Sequence, residues 1–331
     1  MAGAFRYVDG TRLMPKTWLS VEEQAARLRD RGLGIDDEHE CLRFLSHVSY
    51  YRFSGYFRYW QRSPETGDNR FISGTAFSTI HDVYTTEQAV AASSFATMRW
   101  IVILLRTAFA HHYAQHVAPL GALAHDTGFA EPRDPAAPRV EDRVLRDLDR
   151  SQEVYITHYR DESCKNLQGQ YLPTAYDALP VWVAVEGLSF GTLSKCIQAC
   201  EGSGVLEDMA CALGVARAPL VSQVRSMVHL RNRLAHHARI WNHSVLDAPS
   251  VPMNVKRRAK KSYGAFEPRS VFAIFVAMDR LLTTSGLTSS WLSLEIFPLL
   301  TANPLAARGL MAPRKYGDMD PSLTGSSSPK L

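Results

Sequence analysis

A chain of 331 residues with a net charge of only +4 is long enough to bury a sizeable core, in one large or two modest domains, and its charge permits an RNA partner without demanding one. At 46% hydrophobic and 21% charged it has the balance of an ordinary soluble globular protein. The five cysteines (Cys41, Cys164, Cys196, Cys200, Cys211) form no CxxC pair and no metal-type spacing with histidine, which argues against a disulfide framework and fits a reducing cytosol. The longest apolar run, 271–278, is less than half of the roughly 20 residues a bilayer span needs. The first sixteen residues lack the hydrophobic core of an export signal.

From the N-terminus, Ser20 and Glu23 form a capping box that opens VEEQAARLRDR, a helix closed by Gly32. Asp36 and Asp37 open a second helix, EHECLRFLSHVSYY, with Cys41, Leu42, Leu45 and Val48 on one stripe. From Tyr50 to Trp60 aromatics are dense and mixed with Arg52, Arg58 and Arg62. Such interleaving either stacks bases or, more often, packs a small subdomain. The polar stretch 63–70 is turn-rich and marks a domain boundary. Residues 76–117 read as two helices or one with a kink, and 120–138, rich in Gly, Pro and Ala, as a surface loop. A charged amphipathic helix spans 140–159. After the aperiodic 166–180, residues 181–200 are helical with interruptions at Gly187 and Gly191. Residues 219–241 form a helix with Val221, Val224, Met227, Val228 and Leu234 on its apolar face. NVKRRAKKSYG (254–264) reads as a basic linker, 270–284 as a long helix and LSLEIFPLL as a short one. Beyond about 308, Pro, Gly and a Ser triplet read as a disordered tail. The expected fold is all-α, organised as 1–70, 71–307 and 308–331.

The chemistry concentrates in RNRLAHHARIWN, residues 231–242. Arg231 and Asn232 precede His236 in an Arg-Asn-x-x-x-His spacing; His237, Arg239, Trp241 and Asn242 follow. An always-charged guanidinium beside an imidazole that titrates near neutrality is a minimal kit for cutting RNA without metal. The arginine holds a phosphate and its developing charge. The histidine moves the proton between the ribose 2′-hydroxyl and the leaving 5′-oxygen. On an exposed helix the same residues would be ordinary snorkelling side chains. Five residues are about 500° of rotation, so Arg231 and His236 point about 140° apart on a straight helix. Asn232 and His236, four apart, share a face, where the amide can orient the imidazole.

A second Arg-x-x-x-x-His joins Arg106 to His111, with His112 and His116 beyond. Arg106 sits in an apolar run, and a buried guanidinium needs a partner. Glu186, which interrupts VWVAVEGL, is the candidate. Such a pair is either structural or a support for the Arg231/His236 site. Lys256, Arg257, Arg258, Lys260 and Lys261 form the strongest charge run, either a solvated linker or a track for an RNA backbone. No phosphate-binding glycine loop leads into Lys-Ser/Thr, so ATP hydrolysis has no support, and no Gly-x-Ser-x-Gly elbow occurs. His81, His111, His112, His116 and His158 lack carboxylates at a matching spacing, so neither metal nor cofactor is expected.

RNRLAHHARIWN resembles the signature of the Abi-like family of bacterial abortive-infection proteins. Their HEPN-type helical domains carry an Arg-Asn-x-x-x-His core followed by a basic residue and Trp-Asn. Four other segments resemble the family in the expected order: 16–57 with its SYYRFSGY, FISGTAFSTIHDVYTTEQAV (71–90), LLRTAFAHHYA (104–114) and LPVWVAVEGLSFGTLSK (179–195). Two positions depart from the pattern. Val102 stands where the family usually has an acidic residue, and Glu87-Gln88 replaces an Asp-Arg pair, which puts in doubt an acidic helper from the first long helix.

The resemblance implies a HEPN-like helical bundle with a small N-terminal helical subdomain. It implies a metal-independent endoribonuclease in antiphage defence, or a toxin, cutting by 2′-hydroxyl transesterification. His236 would act as general base or acid, Arg231 on the pentavalent phosphorus, and Asn232 in orienting His236. A homodimer in which two motifs meet across a symmetry axis is expected, with Arg106, His111, Glu186, His237 and Arg239 as possible supports. RNA is the expected partner, with a small-RNA or protein antitoxin as for some relatives, in the cytoplasm and without a membrane. The alternative is a non-catalytic RNA-binding or regulatory module.

Overall fold

Helix α1 (Val21–Asp30) starts where Ser20 and Glu23 exchange hydrogen bonds: the Glu23 carboxylate accepts from the Ser20 N–H at 2.7 Å and Ser20 Oγ accepts from the Glu23 N–H at 3.2 Å. The computed structural model describes residues 17–317 other than 133 and 135, and before them the backbone of an antiparallel pair, β1 (Tyr7–Val8) and β2 (Thr11–Arg12). Asp37 caps α2 (Glu38–His47) and Ser49 caps α3 (Tyr50–Phe57). The turn-rich stretch that follows is a hairpin, β3 (Gln61–Ser63) with β4 (Asp68–Phe71). The aromatic run packs: Phe53, Tyr56, Phe57, Tyr59 and Trp60 are buried, and Phe44 meets Phe53, Phe77 and Tyr84 edge to face.

The pattern at 76–117 resolves into one unbroken helix, α4 (Phe77–His116), of 40 residues and about 60 Å. Ile80, Val83, Val90, Met98, Ile101, Leu105 and Phe109 are buried, whereas Phe95, Trp100 and Ile103 are exposed. Over 18 residues α4 is apolar enough to cross a bilayer, the one such helix among the described residues. The run-length criterion misses it because Ser93, Ser94, Thr97 and Arg99 interrupt the apolar residues without outweighing them.

Beyond α4 several boundaries depart from the sequence pattern. The helix expected over 140–159 is two, α5 (Val140–Arg150) and the single turn α6 (Val154–Thr157). Residues 181–200 split at Leu188, and α7 (Val181–Gly187) gives way to α8 (Phe190–Ala199) because Ser189 caps a new start, Oγ accepting from the Thr192 N–H. After α9 (Val205–Ala212), α10 (Arg217–Ala235) stops well short of Trp241. The basic stretch expected as a linker is a helix, α11 (Met253–Tyr263): Lys, Arg and Ala are good helix formers, and Ala259 is its buried residue. Ser270 caps α12 (Val271–Thr284); a π-helical turn (Leu292–Ile296), α13 (Phe297–Ala302) and α14 (Pro304–Met311) complete the order. The chain is therefore helical to Met311, past the expected start of a tail at 308, and 318–331 lie outside the described residues.

The fold is all-α, as its sequence predicts. The described chain forms two compact units, one of residues 17–84 with 315–317 and one of Thr85–Arg314. The boundary falls within α4 because its first turns belong to the Phe44 aromatic cluster. In the second unit α12, buried from Val271 to Met278, packs against α10 and α14, and α8 packs against α10 and α5.

Candidate active site

Helix α10 buries Leu220, Val224, Met227, Leu230 and Leu234, which leaves Arg225, His229, Asn232 and His236 on the opposite, more open side. The helix ends in a Schellman turn: the His237 N–H donates to Leu234 O at 3.0 Å and the Ala238 N–H to Arg233 O at 2.8 Å. The residue after the cap, where glycine is usual, is His237 at φ +51°. This places His236 at the cap and turns residues 237–242 away from the helix axis, so the motif is half helix end and half loop.

The loop half is anchored from behind. Arg233 donates from Nε and Nη2 to Arg239 O, which places the Arg239 carbonyl inside the turn. Glu87, a buried carboxylate on α4, accepts the N–H groups of Ile240 (2.5 Å) and Trp241 (3.2 Å). Trp241 donates from Nε1 to Leu305 O at 3.0 Å and lies against Gly309, where a Cβ would come within 2.2 Å of that nitrogen. Asn242, also buried and at φ +49°, donates its N–H to Gly309 O (3.1 Å) and accepts at Oδ1 from the Arg314 N–H (3.0 Å). An acidic group from the first long helix does therefore serve the motif, as a holder of its backbone. The sequence signal available was Glu87 itself, but nothing in a sequence marks backbone N–H groups as its partners.

The front half is open. Asn232, His236 and His237 are exposed. Asn232 and His236 meet through the backbone, the His236 N–H donating to Asn232 O at 3.0 Å, and among the described residues no side-chain hydrogen bond joins them. Arg231 is half-buried, its guanidinium carbon 6.0 Å from the Phe190 ring centroid. Burial, and then the charge of Arg106, push its pKa below the ordinary arginine value. Arg106 is held as its sequence position predicts: Nη1 donates to Glu186 Oε2 at 2.9 Å and Nη2 to Leu188 O at 2.8 Å. Two guanidiniums thus share one neighbourhood with one carboxylate, and among the described residues Arg231 makes no hydrogen bond or ion pair.

The other candidates lie elsewhere. His111 is exposed on α4 with its ring edge-on to His112, and no described contact joins it to Arg106 or Arg231. Arg257, Arg258, Lys260 and Lys261 are exposed and Lys256 half-buried on α11, which packs on α12. Among the described residues no group of three or more His, Cys, Asp or Glu side chains is placed to hold a metal ion.

Compared with known proteins, the chain matches a family model described as Abi-like protein over residues 43–242, which spans α4 and α10 and ends on the last residue of the motif. No curated protein and no solved structure matches it.

Proposed function

The chain belongs to the Abi-like family, named for abortive infection, and on that premise we propose that it is a metal-independent endoribonuclease of the HEPN type acting in antiphage defence. One observation carries the reading: Arg231 is a half-buried cation that feels the charge of Arg106 and, among the described residues, has no protein anion of its own. A guanidinium left without a protein anion is suited to a phosphodiester, whose oxygens it can grip with two parallel hydrogen bonds. In the reaction the ribose O2′–P bond forms and the P–O5′ bond breaks. A base takes the 2′-hydroxyl proton, an acid supplies one to the 5′-oxygen, and the products carry a 2′,3′-cyclic phosphate and a 5′-hydroxyl. His236, exposed at the helix end, is the proton carrier, and Arg231 stabilises the pentavalent phosphorus.

One chain places one His236 at this site, whereas the reaction needs both a base and an acid. A symmetric dimer supplies the second. RNA is the substrate, in the cytoplasm, and a small RNA or protein antitoxin restrains the activity. Wild-type protein is expected to cut RNA in EDTA, with Arg231→Lys and His236→Ala each losing at least about 100-fold. Cleavage by either variant at the wild-type rate contradicts the assigned roles. The exposed cations of α11 favour a second reading, RNA binding without cleavage. Binding without cyclic-phosphate ends in the same assay supports it instead.

A further inference from the structure

Two histidines that the proposed reaction does not use flank the motif: His229, two residues before Arg231 on α10, and His243, directly after Asn242. Their Nε2 atoms are 2.9 Å apart, their ring planes differ by 14° and their centroids are 5.1 Å apart. That centroid distance is close to the Nε2 separation plus a ring radius at each end. The rings therefore meet head to head, nearly in line, and share one N–H···N hydrogen bond. One imidazole donates from Nε2 and the other accepts there, which requires opposite tautomers and at most one extra proton between them.

The surroundings favour the neutral pair. Arg233 on α10 faces both rings, Arg239 faces His243, and Asp247, itself 3.4 Å from Arg225, faces His229. Burial first, then the nearby arginines, push His243 down to about 4 and His229 below its ordinary value. The same return segment is pinned twice more along α10. Asp247 meets Arg225, and Ser250 bonds to both Ser222 Oγ (3.0 Å) and Gln223 Nε2 (2.8 Å). The histidine pair is the pin nearest the motif, and it closes a loop of residues 230–242 that contains the entire motif. Inside that loop lie His237 and Asn242, two non-glycine residues at positive φ, a conformation that persists only where the surroundings over-determine it.

We infer that the His229–His243 hydrogen bond is a clasp at the base of the motif loop, and that the two histidines are positioning residues that hold His236 in register with Arg231. The catalytic consequence rests on the ribonuclease reading; the ordering of the loop does not. The test is amide hydrogen exchange of residues 236–242 in wild-type protein, His243→Ala and His243→Gln at pH 7.5, with α12 as the internal measure of intact folding. Loss of one hydrogen bond predicts about tenfold faster exchange in the loop of His243→Ala, unchanged exchange in α12, and restored protection in His243→Gln, whose amide can both donate and accept. Should His243→Ala lose α12 protection as well, His229→Gln against His229→Ala gives the same comparison from the helix side. On RNA, the alanine variants are expected to lose kcat with KM unchanged and the glutamine variants to recover it. Wild-type loop protection in both alanine variants, or no rescue by either glutamine, overturns the clasp. Absence of RNA cleavage by wild-type protein counts against the ribonuclease proposal and leaves the exchange result to decide the clasp.

Discussion

In the proposed reaction Arg231 sets function against stability at a single residue. Its guanidinium, half-buried and within reach of the charge of Arg106, lies 6.0 Å from the Phe190 ring centroid at its carbon. Methionine keeps the apolar stem and removes the charge. Arg231→Met is therefore expected to leave Tm unchanged or raise it by about 1–3 °C while lowering RNA cleavage at least about 100-fold. A thermal scan beside a cleavage assay checks both, and a Tm several degrees lower would make Arg231 a structural residue. His237 offers the complementary case. At φ +51° it occupies a position that glycine fills without steric cost. His237→Gly should raise Tm by about 1–3 °C; unchanged kcat in that variant leaves proton transfer with His236, and a large loss moves the role to His237. The Arg106–Glu186 pair was legible in the sequence, because two charges interrupting apolar helices must find each other. Glu87 was not, because its partners are main-chain groups brought to it by the turn after His236.

Among the elements, the helix carrying the motif was legible and its end was not. Helix-compatible residues such as Ala238 and Arg239 follow Ala235, and no glycine or proline marks the stop. A histidine takes the left-handed position instead, and the loop is held by contacts from α4 and α14 that are distant in the chain. That anchoring gives Gly309 its requirement. A Cβ there would fall 2.2 Å from Trp241 Nε1, so Gly309→Ala is expected to cost about 1–3 kcal/mol, measurable by denaturant unfolding; an unchanged midpoint contradicts the Trp241 anchor. The return segment after Asn242 sets a pH dependence. His243, with its pKa pushed down to about 4, and His229, lowered too, resist protons that the unfolded chain takes up once pH falls below about 6.5. Their contribution to stability is level above that pH and is lost as pH falls toward 4. Wild-type Tm should drop more steeply across this window than that of the His229→Gln/His243→Gln double variant, and identical slopes would contradict it.

At the scale of the molecule, the all-α class was legible, since apolar residues recur at helical spacing and capping residues stand before several of the helices. Continuity was harder to read. The 40 residues of α4 carry enough polar side chains to suggest two helices, and the charge density of α11 hides a helix under the composition of a linker. The motif, by contrast, depends on the whole second unit: α10 presents it, Glu87 of α4 and Gly309 of α14 fix its loop, and Arg106 of α4 stands beside Arg231. In the proposed function this assembly cuts RNA by 2′-hydroxyl attack with Arg231 and His236. The most direct test is to induce the protein in cells and identify the ends of the RNA fragments that accumulate. New 2′,3′-cyclic phosphate and 5′-hydroxyl ends with wild-type protein, absent with Arg231→Lys and His236→Ala, are the predicted result. No new ends, or ends carrying 5′-phosphate and 3′-hydroxyl, would contradict it.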